Sequence, residues 1–193
     1  PSNPENPFLR ISVEGREIST NLVGSYNADN VMAALCVGKQ FGVEFEEAVK
    51  AIEAYIPSNN RSQMQKTSRN TLIIDAYNAN PSSMEAALNN FAAVQAPARI
   101  AMLGDMLELG DDSLAEHVAV IRRALSLGLQ KVCLVGKEFG KALSEMRSAG
   151  ENVTHFDSSD QLASWAEKAA VSDAVILIKG SRGTRMEKVV EKL

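Results

Sequence analysis

An acid, a tyrosine and two carboxamides fall within seven residues, Asp75-Ala76-Tyr77-Asn78-Ala79-Asn80-Pro81. The stretch follows the apolar run Thr71-Leu72-Ile73-Ile74 and precedes a helical pattern that starts at Pro81, so it reads as a strand-to-helix loop. In an open α/β sheet such loops lie at the carboxyl edge, where ligands bind. Asp75 could accept hydrogen bonds from a ribose diol or anchor an amine, each charge-assisted bond contributing about 1.5–3 kcal/mol net. It could also cap a turn. Asn78 and Asn80 each carry an amide donor group and an acceptor oxygen, which suits a peptide bond or phosphate oxygens. Asn80 could equally cap the helix that Pro81 opens.

A second loop, Lys179-Gly180-Ser181-Arg182-Gly183, places two cations beside flexible backbone at a predicted helix start. Charge and helix dipole together make that an anion site. Arg182 could grip a carboxylate through two parallel bonds. A GxxxxGK[ST] phosphate loop occurs nowhere in the chain. Asp105 and Glu108 look like a carboxylate pair after another strand, but that pattern is common and names no chemistry. His117 is expected on a helix surface and His155 inside a strand, both structural. No Ser/His/Asp or His/Cys cluster is read, and no residue is assigned to a metal. Cys36 and Cys133 read as reduced core thiols.

The elements that position these loops alternate. Strand patterns at 71–76, 99–103, 131–135, 152–156 and 174–179 are each followed by a helix pattern, at 81–94, 113–127, 138–149, 159–170 and 184–192. Their apolar runs suit strands covered on both faces. Five such units predict a Rossmann-like, doubly wound, mostly parallel sheet. Ser62–Thr67 adds an antiparallel edge strand through the turn 68–70. Capping-box spacing marks Ser113…Glu116 and Ser158…Gln161 as helix starts. Gly42, Gly128 and Gly150 fit the position just past a helix end. Before residue 60 the pattern differs: strands at 8–13 and 16–20 around Glu14-Gly15, then helices from Asn27 and over 44–54. Two strands and two helices are too little for a domain, so residues 1–59 read as an α+β remnant of another one, and 60–193 as the Rossmann-like unit.

With 193 residues the chain can bury a core without disulfides or metals. A net charge of −4 with interspersed signs gives no basic stripe, so nucleic acid is not an expected partner. No apolar run reaches the roughly 18 residues that span a bilayer. No leader is read, and the expected setting is a monomer in the cytoplasm. Pro1–Pro7 looks like a linker, as in a piece of a longer protein.

Together these segments resemble a known family. Gly24-Ser25-Tyr26-Asn27-Ala28-Asp29-Asn30-Val31-Met32-Ala33-Ala34 is similar to the G-x-[HY]-N-x-x-N-x-x-A-A segment of the ATP-dependent Mur ligases. The loops at 77–81, 103–110 and 179–183 resemble those of the members that use D-alanyl-D-alanine. The likeness runs from about Gly24 to Leu193. It implies three domains, of which this chain holds the end of the central ATP-binding one and the whole C-terminal ligase domain. The substrates implied are D-alanyl-D-alanine and UDP-N-acetylmuramoyl-tripeptide, joined through an acyl phosphate made with ATP and Mg²⁺ in peptidoglycan synthesis.

Carried over by position, the resemblance implies that Asn30 meets adenine, with Asn27 supporting it. Arg61 and Asp75 would lie near the ribose of ATP. Asn78, Asn80, Lys179, Ser181 and Arg182 would face the dipeptide and phosphate. Asn60 and Ile74 depart from the Gly and the acid usual before Arg61 and Asp75. The N-terminal and central domains are partners the chain would need, so alone it is expected to be inactive. The competing readings are a freestanding, non-catalytic Rossmann-like module that binds a nucleotide or amino acid, and a ligase of this type with another amino-acid acceptor.

Overall fold

The alternation of apolar runs and helical stripes builds one six-stranded sheet with helices on both faces in the computed structural model, which describes residues 8–58, 60–146 and 150–193. The predicted linker at Pro1–Pro7 and the last three residues of the helix predicted over 138–149 lie outside the described residues.

Strands β3 (Gln63–Lys66), β4 (Thr71–Asp75), β5 (Ala98–Gly104), β6 (Lys131–Val135), β7 (Val153–Phe156) and β8 (Ala174–Lys179) stand in the order β3-β4-β8-β5-β6-β7. All pairings are parallel except β3 with β4, the antiparallel edge expected from the sequence. Successive side chains of a strand point to opposite faces. Ile73, Ala101, Leu103 and Leu177 therefore pack under α3 (Pro81–Ala92), α4 (Ser113–Ser126) and α5 (Lys137–Ser144). Leu72, Ile74, Met102 and Ile178 pack on the other face, under α6 (Ser159–Ala169) and α7 (Glu187–Val190). This is the doubly wound arrangement.

The first region forms a separate two-stranded sheet. Strands β1 (Phe8–Val13) and β2 (Arg16–Val23) join through Glu14 and Gly15, both at positive φ, as a two-residue hairpin turn requires. Helices α1 (Asn27–Gln40) and α2 (Phe45–Ala54) cover it around Ile18, Val31, Leu35 and Val49. Strand β2 runs three residues past its predicted end because Val23 joins the large core and its N–H donates to the Ser62 carbonyl at 3.3 Å.

Several expectations are corrected. Asp112 precedes α4, and a 3₁₀ turn over Gly110–Asp112 runs straight into it, so Ser113 is the first helical residue and caps nothing with its side chain. Helix α5 stops at Ser144, and Gly150 takes its positive φ in the turn before β7. The helix predicted over 184–192 shrinks to Glu187–Val190. A 3₁₀ turn occupies Arg182–Thr184, and Arg185 at φ +52° breaks the path to the helix. Lys179–Gly183 therefore does not sit on a helix N-terminus. Gly180 is needed there for close approach, because a Cβ would lie 2.7 Å from the Thr184 hydroxyl. Cys36 is exposed on α1 rather than in a core, whereas Cys133 is buried as expected.

Candidate functional site

The carboxyl ends of β4 and β8 lie side by side, and the parallel register makes Asp75 and Lys179 direct partners. That register brings a carboxylate and an ammonium together at the sheet edge. Lys179, 1% exposed, reaches Asp75 Oδ2 at 2.6 Å and the Asn78 carbonyl at 3.3 Å. The other carboxylate oxygen accepts from the Ser62 N–H at 3.4 Å. Both oxygens are therefore fixed by protein.

Ser62 also holds the α1 start. Its hydroxyl lies 3.0 Å from the Tyr26 phenol and accepts from Asn27 Nδ2 at 3.1 Å. Asn27 is buried and its Nδ2 also donates to the Val23 carbonyl at 2.9 Å, while its Oδ1 accepts from Asn30 Nδ2 at 3.1 Å. Asn27 thus orients Asn30 and faces little solvent. Burial, and then the Asp75 charge, push the Tyr26 phenol up to about 12.

These groups line a cleft of about 620 Å³ between the first region and the sheet edge. Apolar walls come from Leu22, Val31, Ala34, Ile52, Tyr55 and Pro57. Polar walls come from Asn30, Arg61, Asp75, Tyr77, Asn78 and Asn80. Apolar walls with a few convergent polar groups are the usual build of a small-molecule site.

Tyr77 carries two cations. The Arg61 guanidinium sits 3.7 Å from its ring centroid and that of Arg182 at 5.7 Å. Arg61 first, then Arg182, hold the Tyr77 phenol below its ordinary value. Among the described residues no carboxylate pairs with either arginine. Asn78 spends Oδ1 on the Ala79 N–H, and Asn80 spends Oδ1 on Ser83 and Ser82 as the helix cap of α3, inside a full capping box. The amide donors of both remain free for a ligand.

Ser181 is buried. Its hydroxyl accepts from the Leu107 N–H at 3.1 Å and donates to the Ala79 carbonyl at 3.4 Å. The structure thus brings together Asn30, Arg61, Asp75, Asn78 and Asn80 on the cleft wall, with Asn27 and Lys179 lining it as buried side chains, sets Arg182 beside Tyr77, and keeps Ser181 outside the lining. Tyr26, Ser62 and Tyr77 are the residues that sequence reasoning left out. Tyr26 and Tyr77 sit inside the two segments already singled out, and an aromatic within an amide-rich loop was the available signal. Ser62 had none, since its role rests on φ +47° and on meeting α1 across the cleft.

Asp105 and Glu108 do not form a pair. Asp105 is buried and caps α5, accepting from the Glu138 and Phe139 N–H groups at 3.0 and 2.8 Å. Glu108 is exposed. His117 is fully buried rather than on a surface, accepting from the Met106 N–H at 3.1 Å and facing the Ser113 carbonyl through Nδ1 at 2.6 Å. Its role is structural. His155 likewise contacts the Gly136 carbonyl at 2.7 Å. Among the described residues no three His, Cys, Asp or Glu side chains come together to hold a metal.

Known proteins share the sequence and fold of this chain. The family described as "Mur ligase, glutamate ligase domain" matches residues 60–182. The UDP-N-acetylmuramoyl-tripeptide–D-alanyl-D-alanine ligase of Treponema pallidum is 32% identical over 183 residues, 93% of this chain and 39% of that protein. The enzyme of the same name from Bacillus subtilis is 31% identical over 89% of this chain and 38% of its own length. Among solved structures, MurF from Acinetobacter baumannii superposes with a TM-score of 0.84 at 25% identity, covering 99% of this chain and 43% of that one. The chain thus spans about two fifths of the length of the relatives it matches.

Proposed function

The chain belongs to the Mur ligase family, and from that premise we propose that it is the C-terminal part of an ATP-dependent ligase that joins D-alanyl-D-alanine to UDP-N-acetylmuramoyl-tripeptide. Residues 60–193 are its ligase domain, and residues 1–59 complete the central ATP-binding domain. The observation that carries the proposal is the cleft, which sets apolar walls and a few polar side chains beside the uncommitted amide donors of Asn78 and Asn80.

ATP fits the residues present. Asn30 gives its amide to Asn27, which leaves Oδ1 to accept from the exocyclic amine of adenine. Asp75, held by Lys179 and Ser62, keeps lone pairs for a ribose diol. Arg61 is exposed at the cleft, where it can meet phosphate. When bound, ATP supplies the phosphoryl group that activates the tripeptide carboxylate. The amide donors of Asn78 and Asn80, with Arg182 beyond Tyr77, suit the peptide bond and carboxylate of the dipeptide. Their contribution is to hold the amine against the activated carboxylate, which converts a bimolecular step into an effectively unimolecular one. No step is assigned to Mg²⁺.

The chain alone lacks a phosphate-binding loop motif, so it turns over no ATP. The test pairs it with the longer protein that contains it. The longer protein should release phosphate when ATP, Mg²⁺, UDP-N-acetylmuramoyl-tripeptide and D-alanyl-D-alanine are all present, and the 193-residue chain should stay at the no-protein control. Equal release with L-lysine or glutamate replacing the dipeptide would overturn the acceptor assignment. Turnover by the chain alone would overturn its incompleteness.

A further inference from the structure

We infer that Lys179 is a positioning residue, which sets the cleft wall through Asp75 and the Asn78 carbonyl and is not a phosphate ligand. The inference rests on the nucleotide reading of the cleft and reassigns one of its cations. A surface lysine at a strand end would be free to reach an anion; Lys179 is 1% exposed. Its ammonium is committed at 2.6 Å to Asp75 and at 3.3 Å to the Asn78 carbonyl. Those two bonds tie β8 to both ends of the segment that turns from β4 into the loop. Lys179 thereby aims the Asp75 carboxylate and fixes the peptide that presents the Asn78 amide.

Ser181, two residues on, repeats the arrangement with the Ala79 carbonyl and the Leu107 N–H. The stretch therefore contributes two buried struts and one outward cation, Arg182, which is exposed. Two of the three ammonium N–H groups are committed to Asp75 and to the Asn78 carbonyl, and burial leaves the third little access to a ligand. That burial and those bonds set Lys179 apart from the exposed Arg182, whose guanidinium is open to an anion.

The test uses the 193-residue chain and variants Lys179→Met and Lys179→Arg, with Asp75→Asn as the partner-side variant should Lys179→Met fail to fold. The first readout needs no ligand: hydrogen exchange of the ligand-free chain. Loss of the strut should speed exchange at the Ala76–Asn80 amides at least tenfold while the β4 amides at 72–74 keep their protection. Lys179→Arg, which keeps the charge, should restore part of that loss. The second readout is affinity for adenosine and for ATP by NMR titration. A misaimed Asp75 should weaken both by the same factor, about tenfold or more. Unchanged exchange over 76–80, or a loss confined to ATP with adenosine untouched, would overturn the inference by showing Lys179 to be a phosphate ligand. If the unaltered chain binds neither adenosine nor ATP, hydrogen exchange alone decides the role of Lys179, and the nucleotide reading is judged by the phosphate-release test on the longer protein.

Discussion

Tyr26 makes the stability of this protein fall in alkali by an amount that can be worked out from its surroundings. Its phenol is pushed up to about 12, first by burial and second by the nearby Asp75 charge. In the unfolded chain it ionises near the ordinary value of about 10. A group whose folded value is raised stabilises fully below its unfolded value and loses that contribution as pH climbs through the folded one. The window here runs from about pH 10 to about pH 12, and the full loss is roughly 3 kcal/mol. Between about pH 9 and about pH 11 it amounts to about 1 kcal/mol. Cys133, also pushed up to about 12 by burial, loses stability over an overlapping range, so the measurement must be differential. Urea unfolding of the unaltered chain and of Tyr26→Phe isolates the phenol. The Phe variant loses the hydrogen bond to Ser62 and starts about 1 kcal/mol less stable near neutral pH. Its curve should then fall less steeply, and the two should converge near about pH 11. Asp75→Asn should lower the Tyr26 midpoint seen by phenolate absorbance. Parallel stability curves, or a Tyr26 phenolate fully formed near about pH 10, would refute the reasoning.

Gly136→Ala should cost at least about 2–3 kcal/mol, because Gly136 lies at φ +112° and a Cβ would sit 2.3 Å from Asp105 Oδ2, the cap of α5; thermal unfolding reads it directly. Asn80→Ala should lose about 1 kcal/mol of stability from the α3 cap, and a urea midpoint unchanged from the unaltered chain would contradict the capping role. A thiol reagent at neutral pH should modify exposed Cys36 quickly and Cys133 only after denaturant is added, since burial holds Cys133 protonated and out of reach.

Much of this architecture was legible because period and punctuation agreed along most of the chain. The parallel strands are mostly apolar runs closed by Gly or Asp, and the structure moves their ends by one residue at most. Strand order was not legible. Nothing in Ala174–Lys179 says that it inserts beside Thr71–Asp75, and only that placement makes Lys179 the partner of Asp75. The final helix, expected over 184–192, is shorter because Arg185 takes a left-handed backbone that no residue type there announces. His117 was misplaced although it stands three, four and seven residues before Val120, Ile121 and Ala124, the buried stripe of α4. That spacing was the signal that would have found it. At the cleft the loop at 75–81 was readable from its residue types, whereas Ser62 and the first-region wall depended on contacts between distant segments.

The position of β8 in the sheet has a consequence for how the protein is made. β8 lies between β4 and β5, yet it comes after both in the chain. Until the ribosome delivers it, β4 and β5 each carry an unpaired edge with apolar side chains on both faces, a template for pairing with other chains. Asp75 precedes Lys179 by 104 residues. At about 5–20 residues per second that separation leaves the β4 edge open for roughly 5–20 seconds, and the β5 edge, which is made later, for somewhat less. A chain stopped before β8 would have all the carboxamides of the 75–81 loop but no central strand to set them against. The cleft is therefore a late product of synthesis, and this interval is where a holding chaperone would act.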